Sequence, residues 1–167
     1  MYLSREEYEI LLKKSTAPLT DILPLCVQTG LRLSELLSLE KQDIDFPGGY
    51  IVIGRRKLTK SKKSRIIPIG DDIATMLQTY PDTGRLFPYT ENYISHKFKK
   101  LVLTSGLNPK LRFHSLRHTF ASWLVQSGVS IYMVQRLLGH SSVTVTSIYS
   151  HLELTGLRGC IEKIKGV

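Results

Sequence analysis

The sequence predicts an α+β domain that is mostly α-helical, with a small antiparallel β-sheet early in the chain. From residue 71 onward, apolar residues recur at helical spacing in four segments that end near a glycine or a proline. Before them, the runs YIVIG and SRIIPIG are rich in β-branched residues and lie between Pro and Gly residues, which is typical of paired strands. The 167 residues contain no internal repeat and no long linker, so we expect one domain.

Three helices are predicted before the strands. Ser4 and Glu7 have the spacing of a capping box, and Tyr8, Leu11 and Leu12 would form the apolar stripe of the first helix. A second helix over residues 19–29 contains Pro24 and ends at Gly30. A short third helix, within LRLSELLSL, begins at Arg32 and turns its leucines inward.

The two predicted strands enclose a polar segment, RRKLTKSKK, that is too hydrophilic for a core and forms a hairpin arm or loop. The four helical segments that follow are DDIATMLQTY, ENYISHKFKKLVLTSG, FHSLRHTFASWLVQSG and IYMVQRLLG. Six cations lie in the loop: Arg55, Arg56, Lys57, Lys60, Lys62 and Lys63.

The charge balance of the chain indicates a polyanionic partner. Lysine and arginine total 23 against 14 aspartate and glutamate, a surplus of +9. Such a surplus favours nucleic acid, although a dispersed positive surface without a partner fits the composition equally well.

Cysteine usage and hydropathy exclude several classes of protein. Cys26 and Cys160 lie far apart without metal-ligand spacing, so neither a disulfide scaffold nor a zinc finger is indicated. The charged N-terminus has no signal-peptide pattern, and no segment approaches the roughly 18 apolar residues of a membrane span. We therefore expect a cytoplasmic protein with no membrane partner.

Reactive side chains are densest between residues 114 and 149. His114, Arg117 and His118 stand at helical spacings of three and four. Two histidines at this spacing can bind zinc, but a guanidinium beside a metal dication is unfavourable and the glutamate of a zinc protease is missing. Arginine and histidine together suit a phosphate, since arginine offers a planar fork and imidazole can move a proton. The structural alternative is a partly buried pair that caps a neighbouring helix.

Five segments in a fixed order resemble the catalytic domain of the tyrosine recombinases, also called the phage integrase family, which includes the Xer-type enzymes. They are TGLRLSELLSL with Arg32, TKSKKSRIIPI with Lys60, HSLRHTFASWL with His114 and Arg117, LGHSS with His140, and SIYSH with Tyr149. The resemblance covers nearly the whole chain. It implies the α+β fold of that catalytic domain over residues 1–167, without the amino-terminal DNA-binding domain that family members usually carry.

The resemblance also implies a site-specific recombination or integration reaction on DNA that needs no metal and no cofactor. Tyr149 would attack the scissile phosphate and form a 3′-phosphotyrosyl link. His114 would accept the phenol proton, and Lys60 would protonate the leaving 5′-oxygen. Arg32, Arg117 and His140 would hold the phosphate.

Some of these assignments have competitors. Lys63 is the second choice to Lys60, and Tyr132 reads as a surface or core residue that competes with Tyr149. Glu35 would orient Arg32, or it would be an ordinary solvent-facing charge. Further DNA contacts are expected from Arg55, Arg56, Lys62, Lys63, Lys97, Lys99 and Lys100.

The resemblance implies double-stranded DNA as the partner, with a monomer alone and four protomers around two duplexes during recombination, in the cytoplasm and at the nucleoid. Two alternatives remain open. One is a non-cleaving, integrase-derived DNA-binding module, and the other is DNA relaxation of the type IB topoisomerase kind.

Overall fold

The computed structural model describes residues 1–54 and 64–139. Its elements in chain order are α1 (Arg5–Lys14), α2 (Leu19–Thr29), α3 (Leu33–Leu37), a 3-10 turn (Lys41–Asp43), β1 (Ile44–Asp45), β2 (Tyr50–Ile53), β3 (Arg65–Pro68), α4 (Asp71–Gln78), α5 (Glu91–Thr104), α6 (Ser115–Gln126) and α7 (Ile131–Leu138). The prediction of a mostly helical α+β fold with a small early sheet is confirmed.

The start of the first helix follows the predicted capping box. The Ser4 hydroxyl accepts a hydrogen bond from the Glu7 amide (3.1 Å), and the Ser4 amide donates to Glu7 Oε2 (2.8 Å). Leu11 is fully buried, but Leu12 is 37% exposed, so its expected place in the apolar stripe is wrong. Leu11 is the one buried residue of α1, with Tyr8 partly buried beside it, so the helix covers the core with one narrow edge.

The sheet has the order β1-β2-β3, and both pairs are antiparallel. The two predicted strands are β2 and β3, whereas β1 was not predicted because only two of its residues pair with β2. Asp45 fixes the connecting turn, since its carboxylate accepts hydrogen bonds from the Gly48 amide (2.7 Å) and from the Tyr50 hydroxyl (2.7 Å). The hairpin between β2 and β3 contains residues 55–63, which lie outside the described part of the chain.

Helix α6 lies in the middle of the fold, against α2 and α7. Most of its residues are buried, and it holds the N-terminal segment through two buried hydrogen bonds. The Leu3 amide donates to the Thr119 hydroxyl (3.0 Å), and the Trp123 indole donates to the Leu3 carbonyl (3.1 Å). The leucine-rich α2 contributes many side chains to the main apolar core, and a smaller apolar cluster joins α6 to α7. Within the described residues, no helix is long and apolar enough to cross a membrane.

Gly30 ends α2 at the point where α2, α3 and α6 meet. Its φ of +63° lies in the left-handed region, and a Cβ built there would stand 2.4 Å from Cδ1 of Phe120. Only glycine avoids both the backbone strain and the overlap. This position therefore sets how closely α6 approaches the start of α3.

We expect Gly30→Ala to lower the free energy of unfolding by at least about 2 kcal/mol, because backbone strain and core overpacking add. Gly84→Ala is the matched control, since Gly84 also has a positive φ (+80°) but no atom within 4 Å of a built Cβ. Urea unfolding of both variants separates the two contributions. An equal loss in both would contradict the tight packing inferred between Gly30 and Phe120.

Candidate active site

Three of the six predicted catalytic residues belong to the described part of the chain: Arg32, His114 and Arg117. The other three, Lys60, His140 and Tyr149, lie outside the described residues. The same holds for the expected DNA contacts Arg55, Arg56, Lys62 and Lys63. The described walls of the site are supplied by α3, α5 and α6.

An open cavity of about 510 Å³ lies where the start of α3, the middle of α5 and the start of α6 converge. Leu31, Phe98 and Phe113 form part of its lining, and of the residues that the structure describes only Glu91 contributes a carboxylate to it. Three cationic side chains, Arg32, Lys99 and Arg112, also line the cavity, and His96 and His114 add imidazoles. This balance of charge favours an anion.

Arg32 precedes α3 and extends into this cavity. Its guanidinium Nη1 donates to Glu35 Oε1 (2.9 Å), and its backbone amide donates to Glu35 Oε2 (2.8 Å). The Arg32 side chain is 42% exposed, whereas that of Glu35 is only 10% exposed. The predicted contact between Glu35 and Arg32 is confirmed, and the alternative of a solvent-facing charge at Glu35 is wrong.

Glu35 has a second partner, Arg65, which was not predicted from the sequence. Arg65 Nη1 donates to Glu35 Oε1 (2.9 Å) and Arg65 Nη2 donates to Oε2 (2.7 Å), which is the two-pronged arrangement typical of strong pairs. Burial alone would raise the pKa of Glu35. The hydrogen bonds and charges of Arg65 and Arg32 outweigh this effect and lower the pKa to about 2. The carboxylate is therefore ionised at neutral pH.

A sequence signal for Arg65 did exist. Arg65 stands two residues before Ile67 on β3, so both side chains lie on the same face of the strand, and Ile67 is buried. A charged residue on the inward face of a strand needs an ionic partner. The pattern points to a buried pair, although it does not identify Glu35 as the partner.

His114 precedes the first turn of α6 and lines the same cavity as Arg32. Burial lowers the pKa of His114, and the charges of Arg117 and Arg32 lower it further. The neutral imidazole is the form that can accept a proton. The structure thus brings His114 near both predicted phosphate-binding arginines in a state suited to a general base.

Arg117 is 3% exposed and is not one of the residues that line the cavity. Its Nη1 donates to the Gly30 carbonyl (2.6 Å) and its Nη2 donates to the Leu138 carbonyl (2.6 Å). These carbonyls stand at the C-terminal ends of α2 and α7, where intrahelical partners run out. The alternative prediction, a helix-capping role for Arg117, therefore describes these two contacts.

His118 lies one turn after His114, and the two rings meet edge to face with centroids 4.9 Å apart. Burial lowers the pKa of His118 to about 4, with a further contribution from the charge of His114. Among the described residues, no group of three or more histidine, cysteine, aspartate or glutamate side chains could hold a metal ion.

The lowered pKa of His118 predicts an acid-sensitive fold. An unfolded histidine takes up its proton near pH 6.5, but folded His118 resists protonation until about pH 4. Stability is therefore full above pH 6.5 and falls as the pH decreases from 6.5 to about 4, because the unfolded state binds more protons. We expect His118→Asn to flatten this part of the profile, as measured by urea unfolding between pH 7.5 and 4. A slope equal to that of the parent would contradict the prediction.

The three predicted DNA-contacting lysines of α5 do not share one side of the helix. Lys99 lines the cavity and donates a hydrogen bond to the Pro109 carbonyl. Lys97 stands roughly 200° round the helix from Lys99 and lies over the Tyr93 ring at 5.8 Å. Lys100 is exposed and does not line the cavity. The structure thus brings only Lys99 of these three beside Arg32.

Arg112 is a second cavity residue that was not predicted from the sequence. Arg112 is exposed, lines the cavity two residues before His114, and uses its backbone amide to bind the Ser115 hydroxyl (3.1 Å). Nothing in the local pattern separates it from other surface arginines. Its position emerges only where the loop before α6 meets α5.

Arginine, lysine and histidine line one cavity of this mostly helical domain. The class of protein is therefore one whose site suits an anion such as phosphate. Comparison with known proteins gives the family. The model of the phage integrase family matches residues 2–155, and the chain belongs to that family.

Individual relatives agree with this. Tyrosine recombinase XerD of Staphylococcus haemolyticus is 33% identical over 154 residues, which is 82% of this chain and 51% of the relative. The catalytic domain of bacteriophage HP1 integrase superposes with a TM-score of 0.78 at 32% identity, over 96% of this chain and 93% of that one. The XerH site-specific recombinase, in a pre-cleavage complex with its difH substrate, gives a TM-score of 0.71 at 26% identity, over 89% and 49%. The chain spans about half the length of the curated relatives it matches.

Proposed function

We propose that this chain, residues 1–167, is the catalytic domain of a site-specific DNA recombinase that cuts and rejoins strands through a covalent phosphotyrosine. The observation that carries the proposal is the cavity shared by Arg32 and His114. One wall offers an exposed guanidinium held in place by Glu35, and the other offers an imidazole whose lowered pKa leaves it able to accept a proton.

The proposed reaction balances without a cofactor. The Tyr149 oxygen forms a bond to the scissile phosphorus as the bond to the 5′-oxygen breaks. The phenol proton passes to His114, and Lys60 gives a proton to the departing 5′-oxygen. A phenol needs such a base because its ordinary pKa is near 10. The phosphodiester is conserved in the new link, and a 5′-hydroxyl from a partner strand reverses the step.

Charge that develops on the phosphate in this reaction requires fixed cations. Arg32 is suited to that task because Glu35 restrains it while leaving its side chain accessible from the cavity. In the proposal Arg117 and His140 complete the set of phosphate-binding residues, and Lys99 contacts the neighbouring DNA backbone. The geometry supports Arg32 and His114 most directly.

The remaining positive charge would hold double-stranded DNA without reading its sequence. The proposed contacts are Arg55, Arg56, Lys62, Lys63, Lys97 and Lys100 in addition to Lys99. Recombination of two duplexes would use four protomers, and a DNA substrate would place the protein at the nucleoid. XerH supports this assignment, since it was captured with its DNA substrate before cleavage.

The test is covalent capture of DNA. A library of nicked DNA duplexes with a randomised centre is incubated with the protein at low salt in the presence of a metal chelator. The products are then separated on a denaturing gel. We expect a protein–DNA adduct that mass spectrometry maps to Tyr149. No adduct across the library would favour the non-cleaving module, and an adduct that forms only with added metal would overturn the proposed chemistry. Relaxation of supercoiled plasmid without strand exchange would indicate the topoisomerase alternative.

A further inference from the structure

Arg65 is a largely buried charge whose side chain donates three hydrogen bonds, and the proposed reaction does not use it directly. Its side chain is 13% exposed and lies on the inward face of β3. Besides its two bonds to Glu35, its Nε donates to the Leu137 carbonyl (3.0 Å). A residue that serves only the sheet would not need to contact both α3 and α7.

The Glu35 carboxylate lies between two guanidiniums that have different surroundings. Arg65 binds both oxygens from the protein interior, and Arg32 binds Oε1 from the cavity side. Because Arg65 fixes the plane of the carboxylate, it also fixes the direction in which Glu35 can hold Arg32. A lysine at residue 65 would keep the charge but could not keep the planar fork.

The contact with α7 ties the same arginine to the other side of the site. The carbonyls of Leu137 and Leu138, in the last turn of α7, accept hydrogen bonds from Arg65 and Arg117 respectively. A cation at a helix C-terminus is favourable because the helix dipole is negative there. Gly139 follows with a φ of +66°, and a Cβ built on it would be 2.8 Å from Cδ of Arg65. The backbone at the end of α7 therefore packs directly against the Arg65 side chain.

We propose that Arg65 is a positioning residue of the active site, which orients Arg32 through Glu35 and fixes the end of α7 against α3. The inference rests on the proposed function, since the group it positions is the proposed phosphate-binding Arg32. It does not require Arg65 to touch DNA, and its low exposure agrees with that.

The first test is the rate of adduct formation in Arg65→Lys. At saturating DNA we expect a fall of roughly 10- to 100-fold, the scale of a misplaced catalytic group, with a DNA Kd within about 3-fold of the parent. Tyr80→Phe is the matched control, because it removes a hydrogen bond to Asp21 (2.6 Å) in a part of the fold that does not line the cavity. A parental rate in folded Arg65→Lys would overturn the proposal.

The second test asks whether Arg65 acts through Arg32. Groups that act as a unit give non-additive losses, so Arg65→Lys should reduce the rate little further in an Arg32→Gln background. Losses that multiply would instead assign Arg65 a separate or purely structural effect and would overturn the proposal.

A third measurement separates this proposal from the proposed function. The side-chain Nε signal of Arg32, assigned by its loss in Arg32→Gln, is followed by ¹⁵N NMR without DNA. We expect Arg65→Lys to shift it and Tyr80→Phe to leave it in place. An unchanged signal in Arg65→Lys overturns the positioning role even if the parent cleaves DNA. If the parent forms no adduct, the proposed function fails, and the shift still decides whether Arg65 orients Arg32.

Discussion

Replacing Tyr149 by phenylalanine is expected to abolish the covalent protein–DNA adduct completely. The change removes one oxygen, the proposed nucleophile, and no other group of the proposed site can form a phosphotyrosyl link. DNA binding, followed by gel shift at low salt, should stay within about 2-fold of the parent because the phosphate contacts come from lysine and arginine.

Tyr132→Phe is the matched control for this experiment. Tyr132 is on α7 and is 65% exposed, so it is accessible to solvent but does not line the cavity. We expect the control to form adduct at the parental rate. An adduct that persists in Tyr149→Phe, or one lost in Tyr132→Phe, would show that the nucleophile has been assigned to the wrong residue.

Arg32→Gln is expected to slow adduct formation by roughly 100- to 1000-fold, the usual consequence of removing one fixed stabiliser of developing charge. The variant should fold, since Arg65 still binds both oxygens of Glu35 and the buried carboxylate keeps a partner. Removing one phosphate contact should also reduce the salt slope of DNA binding by about one.

Lys13→Gln controls for the loss of net charge in Arg32→Gln. Lys13 is exposed in the last turn of α1 and does not line the cavity. Its replacement should leave the adduct rate unchanged. If the adduct rate falls by the same modest factor in both variants, Arg32 contributes only to the overall positive potential of the protein. The phosphate-binding assignment of Arg32 is then wrong.

Local chemistry made much of the fold predictable. The capping box at Ser4 and Glu7 and the left-handed Gly30 at the end of α2 depend on residues within a few positions of each other. The same holds for the alternation of Ile51 and Ile53 on β2, which are both buried. Strand β1 escaped prediction because two residues carry no pattern, and the pairing partner defines the strand.

The candidate site was predictable in kind but not in arrangement. Arginine and histidine near one another suited a phosphate but left a structural capping pair open, and the order of the motifs indicated the family. The sequence could not show that Arg32 and His114 share a cavity while Arg117 is turned toward two helix ends. It also could not separate Lys99, which lines the cavity, from Lys97, which lies over Tyr93.

The sequence by itself determined most of the element types, most of the helix ends and the candidate reactive groups, because these depend on short-range periodicity and on side-chain chemistry. Only the tertiary structure decided which charges are paired. Glu35 meets Arg65 across 30 positions, and Arg117 meets Gly30 across 87. Such contacts form when packing buries a charged group, which must then find polar partners inside the protein, so they depend on how the elements pack and not on the order of residues in any one segment.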